Sequence, residues 1–267
     1  MIHQADLITN DGIRIHYYDT QLDKQPLLAI PGIGGSALLW EKALEQFQSK
    51  FRIIIIDPRN QGKSARTFQG QRISRHAADL AELIQKLDLS HIIGIGNSMG
   101  AANFWAYISI YGSDRLNALI DLDQPPKMIN DSTWKFGFKD LTWANFPDYL
   151  KLDFGSGIYA QIDDAMFEKA HQFAQKYPYF PKSNYLCRIN HAEQDWRDVL
   201  VNLKIPMLVL AGKNSPFFNY HFAYKMTELN SQISAKIIPE CGHIIQAEQP
   251  NVMYEEVLNF LVEKEVT

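Results

Sequence analysis

From Ile92 to Ile95 the chain is apolar and largely β-branched, it turns at Gly96-Asn97-Ser98-Met99-Gly100, and Ala101-Ala102-Asn103-Phe104 opens a helical pattern. A buried strand that breaks at Gly-x-Ser-x-Gly and continues as a helix confines the backbone more than any other stretch of the sequence. The turn forces Ser98 into a strained conformation, and Gly96 and Gly100 keep Cβ atoms away where strand and helix crowd together. The serine oxygen then stands above the sheet at a helix N-terminus, whose free N–H groups suit a developing oxyanion. Those are the requirements of a nucleophile.

The rest of the chain is organised to carry such a turn. Residues 2–8 and 13–19 alternate in polarity around Asn10-Asp11-Gly12, a hairpin signal, and predict an antiparallel edge. Buried-strand runs follow at 27–30, 51–57, 92–97, 116–123, 205–212 and 235–239, with helical patterns near 37–49, 73–88, 219–230 and 249–263. Strands alternating with helices of these lengths mean right-handed crossovers and a mostly parallel, doubly wound α/β sheet. Between 125 and 199 the pattern changes: no strand is convincing, and 15 of these 75 residues are aromatic against 17 of 192 elsewhere. That shift predicts a helical cap inserted after the strand at 116–123, over a core made of 1–124 and 200–267.

Several functions are excluded by composition. With 267 residues, 46% of them hydrophobic and a net charge of −4, the chain can bury a large core but has no basic run for nucleic acid or an anionic membrane. No stretch approaches the roughly 20 apolar residues of a membrane span, and Met1 to Asp6 lacks a signal-like pattern, so a cytoplasmic location is expected. Cys187 and Cys241 are far apart and have no ligand-like spacing, which excludes a disulfide framework and a zinc site. Gly32-Ile33-Gly34-Gly35 is too short for a dinucleotide loop, and Gly62-Lys63-Ser64 lacks the upstream glycine of a phosphate loop. Neither a cofactor nor a metal is expected.

A serine nucleophile needs a base. Glu240-Cys241-Gly242-His243 follows the last strand, where a doubly wound sheet brings His243 to the carboxyl edge that bears Ser98. The other seven histidines lack a comparable setting. Together with Pro31-Gly32-Ile33-Gly34-Gly35, the loop Asp57-Pro58-Arg59-Asn60-Gln61-Gly62-Lys63-Ser64 and Glu248-Gln249-Pro250, these segments make the chain resemble α/β-hydrolase-fold serine hydrolases with a cap, over essentially its whole length. The resemblance implies that the backbone N–H groups of Ile33 and Met99 form the oxyanion hole. It also exposes departures. Asn60 stands where the family usually has glycine and Asn97 where it often has histidine, neither a catalytic position. The usual acid position after the strand ending at Gly212 reads Lys213-Asn214-Ser215-Pro216, without a carboxylate. Some members carry the acid at the end of the preceding core strand, and Asp123 stands there, at the tip of Ile120-Asp121-Leu122-Asp123.

The expected activity is cleavage of carboxylic esters with small apolar acyl or aryl groups, through an acyl-enzyme on Ser98, with His243 as base and Asp123 orienting it. A lactonase, carbon–carbon hydrolase or perhydrolase shares the same three residues, and a ligand-binding receptor that turns over poorly is the alternative from another class. A serine rather than an aspartate at the turn argues against haloalkane dehalogenases and epoxide hydrolases. Among the cap aromatics, Trp134, Phe136, Phe138 and Trp143 are candidates to line the pocket. Nine basic and ten acidic residues in the cap give no sign of a strongly ionic substrate.

Overall fold

The computed structural model describes residues 2–266; Met1 and Thr267, the outermost positions of the expected core, lie outside them. Eight strands form one sheet: β1 (His3–Ile8), β2 (Arg14–Asp19), β3 (Pro26–Ile30), β4 (Arg52–Ile56), β5 (Ile92–Asn97), β6 (Leu116–Leu122), β7 (Met207–Gly212) and β8 (Ile233–Ile238). Their spatial order is β1-β2-β4-β3-β5-β6-β7-β8. The β1–β2 hairpin is antiparallel and joins β4 antiparallel; from β4 to β8 every pairing is parallel.

The isoleucine run of β4 shows why the sheet is buried on both sides. Ile54 and Ile56 pack with α2 (Ile73–Lys86) and α3 (Met99–Tyr111), while Ile53 and Ile55 face α1 (Glu41–Phe47) and α9 (Pro250–Glu263) on the other side. A strand covered on both faces has no reason to alternate in polarity. From β3 the chain first adds β4 on one side and then β5 on the other, so the strand order reverses between β3 and β5. The crevice outside the carboxyl ends of strands at such a reversal is where open α/β sheets bind ligands. The glycine-rich loop after β3 and Ser98 after β5 both open there.

Three sequence expectations shift. The helix expected over 37–49 begins as a single 3₁₀ turn, Ala37–Trp40, before α1, and the strand expected to reach residue 123 stops at Leu122 because Asp123 takes a φ of 60°. The segment 125–199 is helical only in its second half, with α4 (Asp164–Lys176), α5 (Tyr185–Ala192) and α6 (Arg197–Val201). Before Asp164 it runs as turns, one short 3₁₀ stretch at Asp148–Lys151 and isolated bridges such as Asn130–Thr142. Prolines, glycines and Asx turns there deny a helix its donors and its φ values. The segment leaves and rejoins the sheet at one point, where Lys127 bridges Asp195 and the Trp196 N–H donates to the Pro126 carbonyl. Among the described residues, no helix is long and apolar enough to cross a membrane.

Candidate active site

Ser98 sits at φ 54°, ψ −127°, outside the allowed regions for a side-chain-bearing residue, between the end of β5 and the start of α3. The turn is held from all sides. A Cβ on Gly100 would stand 2.1 Å from the Ile30 carbonyl oxygen, and one on Gly96 would stand 2.3 Å from the Ala101 nitrogen. Ser98 N–H donates to the Leu122 carbonyl at 2.9 Å, and Asn97 Nδ2 bridges the carbonyls of Leu122 and His243. Strain of this kind persists only where the surroundings over-determine it.

His243 and Asp123 reach each other from opposite sides of β7. His243 Nδ1 is 2.7 Å from Asp123 Oδ2, with His243 5% exposed and Asp123 fully buried. Asp123 accepts two further bonds, from Gly212 N–H at 3.1 Å and from Ser215 Oγ at 2.6 Å. The carboxylate therefore has three hydrogen-bond partners, and its histidine contact leaves Nε2 as the imidazole's free nitrogen. Ser98 Oγ donates a long bond, 3.5 Å, to Gln124 Oε1 and none to His243. Both side chains nonetheless line one cavity of about 660 Å³. Asp121, two residues before Asp123, is buried with Oδ2 unpartnered, and burial together with the Asp123 charge pushes its carboxyl well above the usual range. Asp57, at the start of the loop after β4, accepts the Lys63 N–H, and burial pushes its carboxyl up to about 6.

In the loop after β3, which lies against the serine turn, two of the glycine N–H groups are already taken. Gly34 N–H is taken by Gln61 Oε1 and Gly35 N–H by the Gly32 carbonyl, whereas Ile33 N–H has no partner among the described residues. Gly32 lets this loop close on the turn: a Cβ there would lie 3.0 Å from that of Ser98. Met99 N–H, the first of α3, is likewise unpartnered, and the Met99 side chain points away from the cavity into the core, 3.9 Å from Cys187 Sγ.

Of the four aromatic candidates, the cavity takes one. Phe138 lines it beside Phe217 and Phe218, and the two latter rings pack on the His243 imidazole at centroid distances of 4.9 and 5.6 Å. Trp134 is buried elsewhere, between Phe136 and the Arg197 guanidinium, so neither Trp134 nor Phe136 belongs to the cavity. Trp143 is 55% exposed, stacks edge-on against Phe146 and does not line the cavity. All three lie in the irregular first half of the insertion, where no helical period indicates which way a side chain faces. Sequence reasoning gave no role to Gln61, Gln124 or Glu248, whereas Ser215, which stands at the family's usual acid position, bonds Asp123 instead. Glu248 gathers the backbone N–H groups of Tyr159, Ala160, Gly242 and Ile244 at 2.7–3.0 Å and so fastens the His243 loop to the insertion. Its place in Glu248-Gln249-Pro250 was the only signal. Among the described residues no three His, Cys, Asp or Glu side chains gather as a metal site would need.

With this geometry the chain's relatives fall into one family. The sequence model of the α/β-hydrolase fold matches residues 25–154. A Synechocystis protein named "Putative non-heme chloroperoxidase" is 33% identical over 92% of this chain and 94% of its own length. The chain belongs to the α/β-hydrolase family. The 3-oxoadipate enol-lactonase 2 of Acinetobacter baylyi is 22% identical over 96% of both chains. The esterase EaEST from Exiguobacterium antarcticum superposes with a TM-score of 0.83 at 20% identity, over 97% of this chain and 99% of its own.

Proposed function

We propose that the protein is a serine hydrolase that cleaves carboxylic esters with small or medium-sized apolar groups. The observation that carries this reading is the buried 2.7 Å contact between His243 Nδ1 and Asp123 Oδ2, made at the cavity into which Ser98 opens. Ser98 Oγ attacks the ester carbonyl as His243 Nε2 accepts its proton, and the Ile33 and Met99 N–H groups receive the oxyanion. Each such donor is worth about 10²–10³ in rate in acyl-transfer enzymes. The alkoxide leaves with the proton from His243, and a water activated by the same nitrogen hydrolyses the acyl-enzyme. Asp123 holds the imidazole in the tautomer this requires.

Residues 125–199 act as the lid of the cavity. A space of about 660 Å³ lined by Phe138, Leu150, Phe154, Phe217 and Phe218 holds a small-molecule ester rather than a lipid layer. The relatives support ester and lactone chemistry, since an esterase and an enol-lactonase are among them. A second reading, perhydrolysis, is favoured by the relative named as a non-heme chloroperoxidase: hydrogen peroxide then replaces water on the acyl-enzyme and releases a peracid.

Labelling of Ser98 by a fluorophosphonate, followed by turnover of a p-nitrophenyl ester series, tests the proposal. The expected result is labelling, with rates that peak at short to medium acyl chains. Rates that climb steadily to long chains with activation at an oil–water interface overturn the enclosed-pocket part. Labelling without turnover of any ester points to a binding protein, and no labelling refutes the serine mechanism.

A further inference from the structure

Arginines that are not out on the surface are all engaged in this fold, with one exception. Arg52, Arg59, Arg75 and Arg197 are ion-paired, and Arg66 donates to the carbonyls of Gln61, Gly62, Ser64 and Pro178. Arg188, on α5, is half-buried and lines the cavity over Ser98, and its guanidinium has no hydrogen-bond or ion-pair partner among the described residues. A guanidinium drawn partly out of water without an anion is costly, and that cost falls when a ligand supplies the charge. Two more unfulfilled groups sit at the same end. The Tyr179 hydroxyl is buried without a partner, its ring lies against Gly34 of the oxyanion loop, and the residue lines the same cavity as Arg188. His191, one helical turn after Arg188, lines the cavity with Nδ1 buried and unpartnered. The one carboxylate lining the cavity, Asp153, is exposed and accepts the N–H of Gly155.

We propose that this cavity recognises a carboxylate on the substrate, held by Arg188 with the Tyr179 hydroxyl, so that the ester cleaved at Ser98 carries an acid group at its far end. The inference deepens the ester-hydrolase reading and rests on it for the reaction, though not for the binding. It also revises the expectation of a non-ionic substrate: balanced charge counts conceal that, of the two cations lining the cavity, Lys151 is paired with Asp148 and Arg188 is not. A planar guanidinium fork matches a carboxylate in two parallel hydrogen bonds, and a single guanidinium balances a monoanion more fully than a phosphate dianion.

The test compares monomethyl esters of the dicarboxylic acids from succinate to sebacate with methyl esters of monocarboxylic acids of equal length, read by methanol release. The expected ratio of kcat/KM between the two series, at the best length, is roughly 10- to 100-fold in favour of the acid esters, the span of a hydrogen bond to a charged group. In Arg188→Met the ratio collapses towards one, mainly through KM, and Arg188→Lys falls between because it keeps the charge and loses the fork. A ratio is independent of how much of the variant is folded. A wild type without preference, or a ratio unchanged in Arg188→Met, overturns the proposal. Should the wild type cleave neither series, the ester reading falls, and calorimetric titration with the free dicarboxylates decides the site. Binding that Arg188→Met abolishes upholds it, and absence of binding to the wild type overturns it.

Discussion

Asp123 is the residue on which most turns. Its Oδ2 accepts from both His243 Nδ1 and Ser215 Oγ, so removing its charge leaves the imidazole without a fixed tautomer while the local packing survives. Asp123→Asn is expected to lower kcat on the order of 10⁴-fold, as the equivalent change does in serine proteases, with the circular-dichroism spectrum unchanged. Ser215 touches the same oxygen from the loop after β7, and adding Ser215→Asp to that variant is expected to restore part of the rate. In the wild-type background Ser215→Asp sets two carboxylates against each other, raises the pKa of one of them and gives no gain. A kcat above about a tenth of wild type in Asp123→Asn would place the orienting acid elsewhere. The sequence pointed to Asp123 by its place at a strand tip and by the missing carboxylate at Lys213-Asn214-Ser215. It gave no sign that the residue adopts a positive φ, which an aspartate tolerates and which swings its side chain out of the strand's alternation.

The elements were legible where both faces of the sheet impose a pattern and illegible where nothing does. Every core strand expected from an apolar run is present, and the Ser98 turn follows from the crowding of β5, α3 and the loop after β3, all of which leave glycines in the sequence. The first half of the insertion has no period to read, and three of four pocket aromatics were misplaced there. Polar side chains that work by gathering backbone donors were invisible for another reason: their partners are main chain, which carries no sequence. Glu248 on α8 (Ile245–Glu248) is the clearest case, holding four N–H groups from two loops. Glu248→Gln keeps the shape but turns one acceptor into a donor facing an N–H. The expected result is a loss of about 1–3 kcal/mol in stability, read as a drop in Tm, and a kcat that falls more than KM changes. Full kcat and wild-type Tm would show that the His243 loop is held by its other contacts, such as the His243 N–H to the Gly157 carbonyl at 2.8 Å.

The antiparallel hairpin at one edge of the sheet is tied to the body by charge. Arg59, 2% exposed, bonds Asp79 of α2 and Asp11 at the hairpin turn, and Arg75 joins Asp79 to Glu82. Burial pulls the Arg59 guanidinium down, its two carboxylates more than offset this, and the Arg59 charge in turn holds Asp11 well below the usual carboxylate range. Arg59→Met leaves the buried Asp79 with Arg75 as its remaining cation and takes from Asp11 its nearest one, and is expected to destabilise the fold by about 1–3 kcal/mol, seen as a lower urea midpoint. Adding Arg75→Met removes the last cation from Asp79, and the double variant is expected to lose more than the two single losses together, because the carboxylate is then buried without a counter-charge. Losses that merely add would mean that the two arginines do not act through Asp79 as a shared partner.

Because His243 takes its carboxylate from the end of β6, the loop after β7 is released from that duty. Of residues 213–219, only Ser215 touches Asp123, while Phe217 and Phe218 face the cavity and the imidazole's flank. The rings that flank the cavity and the carboxylate that holds His243 are therefore inherited on separate stretches of chain. A lineage descended from this protein could exchange the rings at 217 and 218, and so reshape the cavity, without giving up the carboxylate that holds His243.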